Sequence, residues 1–156
     1  MLERCKSAQE RWGGVHEIID RWLLQRRQLI EALVTIKGLG EYTPTDTPKI
    51  QRLCEMLVDY VSVGHFGVYE QLALEAKDFN DTGALALFKK LMPEIESTTE
   101  VAIEFNDKYD TKEHCNAQLE ELPFSIQTVS VVMAERFGFE DQLIERLHHA
   151  HSEKTA

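Results

Sequence analysis

Apolar residues recur at three- and four-residue steps through most of the chain, and almost nowhere at steps of two. Val15, Ile18, Ile19, Trp22, Leu29, Leu33 and Ile36 mark one apolar face of a helix over 15–37. Gly13-Gly14 weakens the helix just upstream, so a short helix over 2–12 and a break at the glycines are expected. Lys37-Gly38 supplies a C-terminal stop, and 38–47 (GLGEYTPTDT) reads as a loop. Thr47 offers a capping hydroxyl before Pro48, whose missing N–H costs nothing in a first helical turn. Ile50, Leu53, Leu57, Val61 and Leu72 then predict a helix over 48–76. Asn80 and Asp81 offer the next cap. Leu85, Phe88, Leu91, Ile95, Ala102 and Phe105 carry a third helix to near residue 106, bent or restarted at Pro93.

Residues 107–116 (DKYDTKEHCN) are polar and read as a connector. Pro123 blurs the start of the last helix, in which Phe124, Ile126, Val129, Val132, Met133, Phe137, Leu143, Ile144 and Leu147 run to a histidine-rich end. Fraying is expected from His151. Long amphipathic helices joined by loops close a core by packing together. The predicted fold is therefore all-α: an antiparallel bundle of long helices with a short N-terminal helix, one domain over 1–156. A faint repeat fits this, since HFGVYEQL at 65–72 resembles RFGFEDQL at 136–143, an offset of 71 that also aligns Val58 with Val129 and Val61 with Val132.

Composition narrows the function classes. The chain is 43% apolar and 28% charged, which is globular rather than disordered. No run reaches the roughly 18 apolar residues of a membrane span, and the charged N-terminus lacks the apolar stretch of a signal peptide. Cys5, Cys54 and Cys115 are odd in number and widely spaced, which points to a reducing cytoplasm rather than a disulfide framework. With 17 Lys plus Arg against 27 Asp plus Glu, the formal charge is −10, which disfavours direct nucleic-acid binding and suits a basic protein partner. Residues 1–36 balance to +1, so 37–156 carry −11. Each helix has one apolar face that a single bundle can consume, so a monomer or weak dimer is expected.

Candidate chemistry is thin. HFGVYE resembles the iron-binding helices of hemerythrin-like bundles, but the positions four before and four after His65 are Val61 and Tyr69, and its repeat partner is Arg136. A helical metal pair needs donors there, so no metal or other cofactor is expected. Asp59, Ser62 and His65 share a helical face with Phe66 and Tyr69, but a regular helix does not present the serine as a nucleophile, and no catalytic motif is present. Asp59 is expected to orient or charge the His65 imidazole on a partly buried face. Phe66 is read as packed, so that truncating it would open a cavity. Asp20, Arg21, Trp22, Arg26 and Arg27 set an aromatic among charges, either as core plus solvated face or as a binding surface that Trp12 extends.

Three blocks, ERWGGVHEIIDRWLLQRRQLI, LCEMLVDYVSVGHFGVYEQL and MAERFGFEDQLIERL, are together similar to the Rsd/AlgQ family of bacterial anti-sigma factors, closest to its AlgQ-like members. The resemblance spans nearly the full length. It implies a helical bundle that binds region 4 of the housekeeping sigma factor and blocks its docking and promoter recognition. Such sequestration in stationary phase favours alternative sigma factors. Some members also affect exopolysaccharide and siderophore genes or bind the phosphocarrier protein of the sugar phosphotransferase system, which makes that protein the alternative partner. Carried over by position, the family's pocket and interface fall on Asp20, Arg21 and Trp22, and on Asp59, Tyr60, Ser62, His65, Phe66 and Glu70. The resemblance implies binding without catalysis, cofactor, metal or membrane.

Overall fold

A computed structural model describes the backbone of residues 2–155 and the side chains of 17–147. Readings that rest on the side chains of Cys5, Trp12, His16, His148, His149 and His151 lie outside that range, and the backbone where fraying is expected, from His151, is helical to Thr155. Helix α1 is Leu2–Lys37, α2 Thr47–Val63, α3 Tyr69–Asp78, α4 Thr82–Tyr109, α5 Lys112–Ala117 and α6 Leu122–Thr155. Among the described residues there is no strand, and the fold is the expected all-α bundle. No described helix is long and apolar enough to cross a membrane.

Several boundaries differ from the sequence reading, each for a local reason. The expected break at Gly13-Gly14 does not occur, and α1 is one helix rather than a short helix followed by a long one. A helical glycine costs about 1 kcal/mol relative to alanine, which weakens a helix without forbidding it. Thr47 is not the cap of α2. A helical turn begins earlier, at Pro44–Asp46, where the Thr43 N–H donates to the Asp46 carboxylate at 2.9 Å. Thr47 is thereby drawn inside, and its hydroxyl donates to Asn116 Oδ1 at 2.9 Å, tying α2 to α5. The polar stretch after α4 contains α5, started by Thr111, whose hydroxyl accepts from the His114 N–H at 3.1 Å. Pro123 sits in the first turn of α6, where it costs no hydrogen bond. Pro93 lies within a continuous α4.

The helix expected over 48–76 is the most altered. It runs from α2 into α3 through a π-turn, Gly64–Val68, which widens the helix in its middle.

Helices α4 and α6 pair antiparallel along their length. Arg146 donates to Asp81 at 2.9 Å at one end, Arg136 to Thr98 at 3.1 Å midway, and Tyr109 to Ser125 at 3.1 Å at the other. Helices α1, α2 and α3 complete the bundle, and one cluster of buried side chains joins all of them. It includes Ile19, Leu29, Leu57, Leu72, Ile95 and Met133.

The cap predicted at Asn80-Asp81 is present. Asp81 accepts from the Ala84 N–H at 3.0 Å, and Asn80 turns the chain at a φ of 54°. Asp81 thus both caps α4 and anchors α6. Asp81→Ala is expected to lower stability by about 1–2 kcal/mol, measured by urea denaturation, with Asp81→Asn recovering much of it because an amide oxygen can still cap.

Candidate functional site

Three ionisable side chains stand where the helical pattern calls for apolar ones. On α1 the inward series is Trp22, Arg26, Leu29, Leu33, Ile36; on α6 it is Ile126, Val129, Met133, Arg136, Glu140, Leu143, Leu147. Arg136 and Glu140 are 0% and 1% exposed. A charge so placed costs several kcal/mol in lost hydration unless partners surround it.

The partners come from five helices, α1, α2, α3, α4 and α6 itself. Glu140 Oε1 accepts from the Tyr60 hydroxyl of α2 at 2.5 Å and from Arg26 of α1 at 3.2 Å. Its Oε2 accepts from Arg136 Nε at 3.2 Å and from the Tyr69 hydroxyl of α3. Arg26 also donates to the Tyr60 oxygen at 3.1 Å and to Asp141 at 2.6 Å. Arg136 spends its remaining hydrogens on Tyr69 at 2.9 Å, on Thr98 and Thr99 at 3.1 and 2.7 Å, and on the Ile95 carbonyl at 3.4 Å. Burial raises the pKa of Glu140 against the pull of Arg136, the two phenols and Arg26. Burial and the Glu140 charge together push both phenols well above the ordinary tyrosine value, so they remain donors.

Two aromatic layers close this lattice. Trp22 stacks on Tyr60 with centroids 5.2 Å apart and planes 9° from parallel, and meets Tyr69 edge-on at 5.8 Å. The Arg26 guanidinium lies between Trp22 and Phe137, 5.4 and 4.9 Å from their centroids.

The π-turn is what lets both tyrosines reach one carboxylate. Tyr60 and Tyr69 are nine residues apart. A regular helix turns about 100° per residue, which would point them to opposite sides. Within the turn the Tyr69 N–H donates to the Gly64 carbonyl five residues back. This wider turn uses up residues with less rotation and swings Tyr69 toward the side of Tyr60. Gly64 suits the close approach there: a Cβ would stand 3.2 Å from the Tyr69 ring, tighter than ordinary contact, and 3.4 Å from Arg136.

The same turn arranges the surface. Asp59, half-buried Ser62, Phe66 and Glu70 follow one another at steps of three and four along the outward side, and Phe66 is 79% exposed. His65 is half-buried between the two layers. Its Nε2 is 2.8 Å from the Thr99 hydroxyl, and its ring meets Tyr69 edge-on at 5.1 Å.

The family model described as "Regulator of RNA polymerase sigma(70) subunit, Rsd/AlgQ" matches residues 1–148. The chain belongs to the Rsd/AlgQ family. It is 31% identical over 149 residues to the "Regulator of sigma D" of Yersinia enterocolitica (serotype O:8), covering 93% of this chain and 89% of that one. Its identity to the protein of the same description from Enterobacter sp. (strain 638) is 35% over 150 residues, covering 92% and 88%. No solved structure matches the chain significantly.

In this Rsd/AlgQ chain the nine positions singled out from sequence divide into two layers. Trp22 and Tyr60 are buried in the lattice, and His65 joins it through Thr99. Asp20, Arg21, Asp59, Phe66 and Glu70 are exposed, Ser62 is half-buried on the same stripe as Asp59, and no described hydrogen bond or ion pair links Asp20 or Arg21 to the outward stripe of α2. Two expectations are corrected. Asp59 does not orient His65: the imidazole turns inward to Thr99, and burial and Arg136 lower its pKa against the opposing effect of Glu96, which favours the neutral ring. Phe66 is not packed: it follows Asp59 and Ser62 on the outward side of the helix and is left in solvent. Sequence reasoning also missed Arg26 as a core residue, and missed Arg136 and Glu140 as its partners. The available signal was charge in phase with an apolar series.

The repeat has a structural counterpart. His65 and Tyr69 align with Arg136 and Glu140, and these four side chains meet in the lattice, Tyr69 bonding to both α6 residues. Arg136 therefore faces the histidine, and a guanidinium would repel a metal ion there. Among the described residues no three His, Cys, Asp or Glu side chains gather as a metal site would need.

Glu140→Gln keeps the shape but leaves two guanidiniums without their buried counter-charge. It is expected to cost about 3–5 kcal/mol in urea denaturation. Alkaline titration tests the phenols. Below pH 10.0, the ordinary tyrosine value, both states hold these protons and stability is unaffected. Above it the unfolded chain loses them while the folded chain does not, so each of Tyr60 and Tyr69 should subtract about 1.4 kcal/mol per pH unit until its folded pKa is reached. Their tyrosinate absorbance should appear together with unfolding, not before it.

Proposed function

We propose that this chain binds region 4 of the housekeeping sigma factor through the surface around the π-turn, and so blocks that region's docking and promoter recognition. Family membership supports sigma regulation in general. The observation that carries the finer reading is Phe66, a large apolar side chain held 79% exposed on a turn that the buried lattice maintains. Binding surfaces favour such a combination, an aromatic anchor on a rigid support with charge beside it to set register. Asp59 and Glu70 supply that charge on the same stripe, and Arg21 lies next to Trp22, whose ring stacks on Tyr60. The relatives' description as regulators of sigma D agrees with this partner. The protein acts by occlusion, with no bond made or broken.

Calorimetry with isolated sigma region 4 is the direct test. Phe66→Ala and Arg21→Ala should each weaken binding by about 1–3 kcal/mol, roughly one to two decades in affinity. Phe66→Ala is a clean probe because so exposed a ring leaves no cavity. Lys112→Ala is the control. It lies on α5, which is bonded to the N-terminal end of α2, some 25 Å from the π-turn at about 1.5 Å per residue. Unchanged affinity for Phe66→Ala and Arg21→Ala would place the interface elsewhere. Absence of any binding at tens of micromolar (about 6 kcal/mol) would reject sigma region 4 as the partner.

A further inference from the structure

The net negative charge is concentrated on one stretch of the chain. Residues 94–128 contain nine Asp/Glu against two Lys, a balance of −7 out of −10 for the whole chain. This stretch covers the second half of α4, α5 and the first turns of α6. Within it the two long helices leave an open groove. Its floor is apolar, formed by Val101, Phe105 and Val129, and Glu104 stands on its α4 wall. Phe124 and Thr128 form the α6 wall. A contact between Lys108 and Glu121 at 3.6 Å crosses one end.

Phe124 is the unexplained residue. Its ring is 77% exposed, although it stands between the first turn of α6 and a core-facing Ile126 that is fully buried. Val131, half-exposed, follows on the same side of α6 seven residues later, with Thr128 between them. An apolar ridge of this kind beside a groove gains nothing from water, and the acidic residues around it would repel an acidic surface and attract a basic one.

We infer that the α4–α6 groove is a second docking surface, and that it receives a basic amphipathic helix of a protein partner, its apolar stripe against Phe124 and Val131 and its Lys/Arg against Glu104 and Glu121. The charge complementarity selects this occupant over a second copy of the chain, which would bring its own −10 to an acidic face. The inference stands independently of the sigma reading, since none of the groove's lining residues belongs to the π-turn or bonds to it.

The probe is a pair of synthetic lysine-rich helical peptides of identical composition. One has its leucines in a single stripe, and in the other the stripe is scrambled. Fluorescence anisotropy at physiological salt should show the striped peptide binding about tenfold tighter, a difference of about 1.4 kcal/mol. Phe124→Ser should abolish that preference without changing the circular dichroism spectrum or the urea midpoint. Glu104→Lys combined with Glu121→Lys should weaken both peptides. Phe66→Ala should leave the preference intact, which separates this surface from the proposed sigma interface. Equal affinity for the two peptides would overturn the inference, as would a preference that survives Phe124→Ser or is lost in Phe66→Ala. Self-association of the chain that Phe124→Ser abolishes would also overturn it, because the occupant would then be a second copy.

Discussion

The bundle depends on the satisfaction of one buried carboxylate. Glu140 takes hydrogen bonds from Arg26, Tyr60, Tyr69 and Arg136, one group from each of α1, α2, α3 and α6. Apolar packing alone would allow these helices to slide or rotate with small changes in energy, because one leucine resembles another. Four donors on two oxygens do not allow that, because a shift of any helix leaves a buried polar group unpaired. The lattice therefore contributes less to net stability than to the choice of a single register. The contribution to stability is modest because desolvation opposes the Coulombic gain.

That register has a consequence at the surface. For Tyr69 to reach the carboxylate that Tyr60 already holds, the helix between them must lose rotation, and the π-turn at Gly64–Val68 supplies the loss. On that turn His65 points to Thr99 while Phe66 points to water. The buried chemistry and the exposed aromatic are thus two sides of one backbone irregularity. A partner that meets Phe66 meets a side chain whose direction is set from within, which reduces the ordering cost of binding.

The two halves of the faint repeat show how similar segments take different duties. HFGVYE and RFGFED place their first and fifth residues in the same lattice. In one copy these are a neutral imidazole and a phenol; in the other they are a guanidinium and a carboxylate. The exposed Phe66 of the first corresponds to Phe137 of the second, which instead packs against the Arg26 guanidinium and the Tyr60 ring. Neighbouring helices, not the motif, decide which aromatic stays outside.

Periodicity and local capping signals determined the all-α class, the approximate course of each long helix and the cap at Asp81, because these follow from three- and four-residue spacing and from short-range hydrogen bonding. The family could be recognised for a related reason, since its motifs are local strings such as DRWL and VDYVSVGHF. The tertiary structure decided what those strings do. Arg26, Arg136 and Glu140 read as ordinary helical charges until the packing of α1 on α6 brings both guanidiniums to 3.2 Å from the one carboxylate. Nothing in GHFGV announces a π-turn, because its wider hydrogen bonding is favoured only once Tyr69 has a buried partner on α6. Whether Tyr69 can reach the carboxylate that Tyr60 holds depends on that one added residue of helical phase. Spacing along a chain carries the period of a helix, but the bonds that change the period are made across the core.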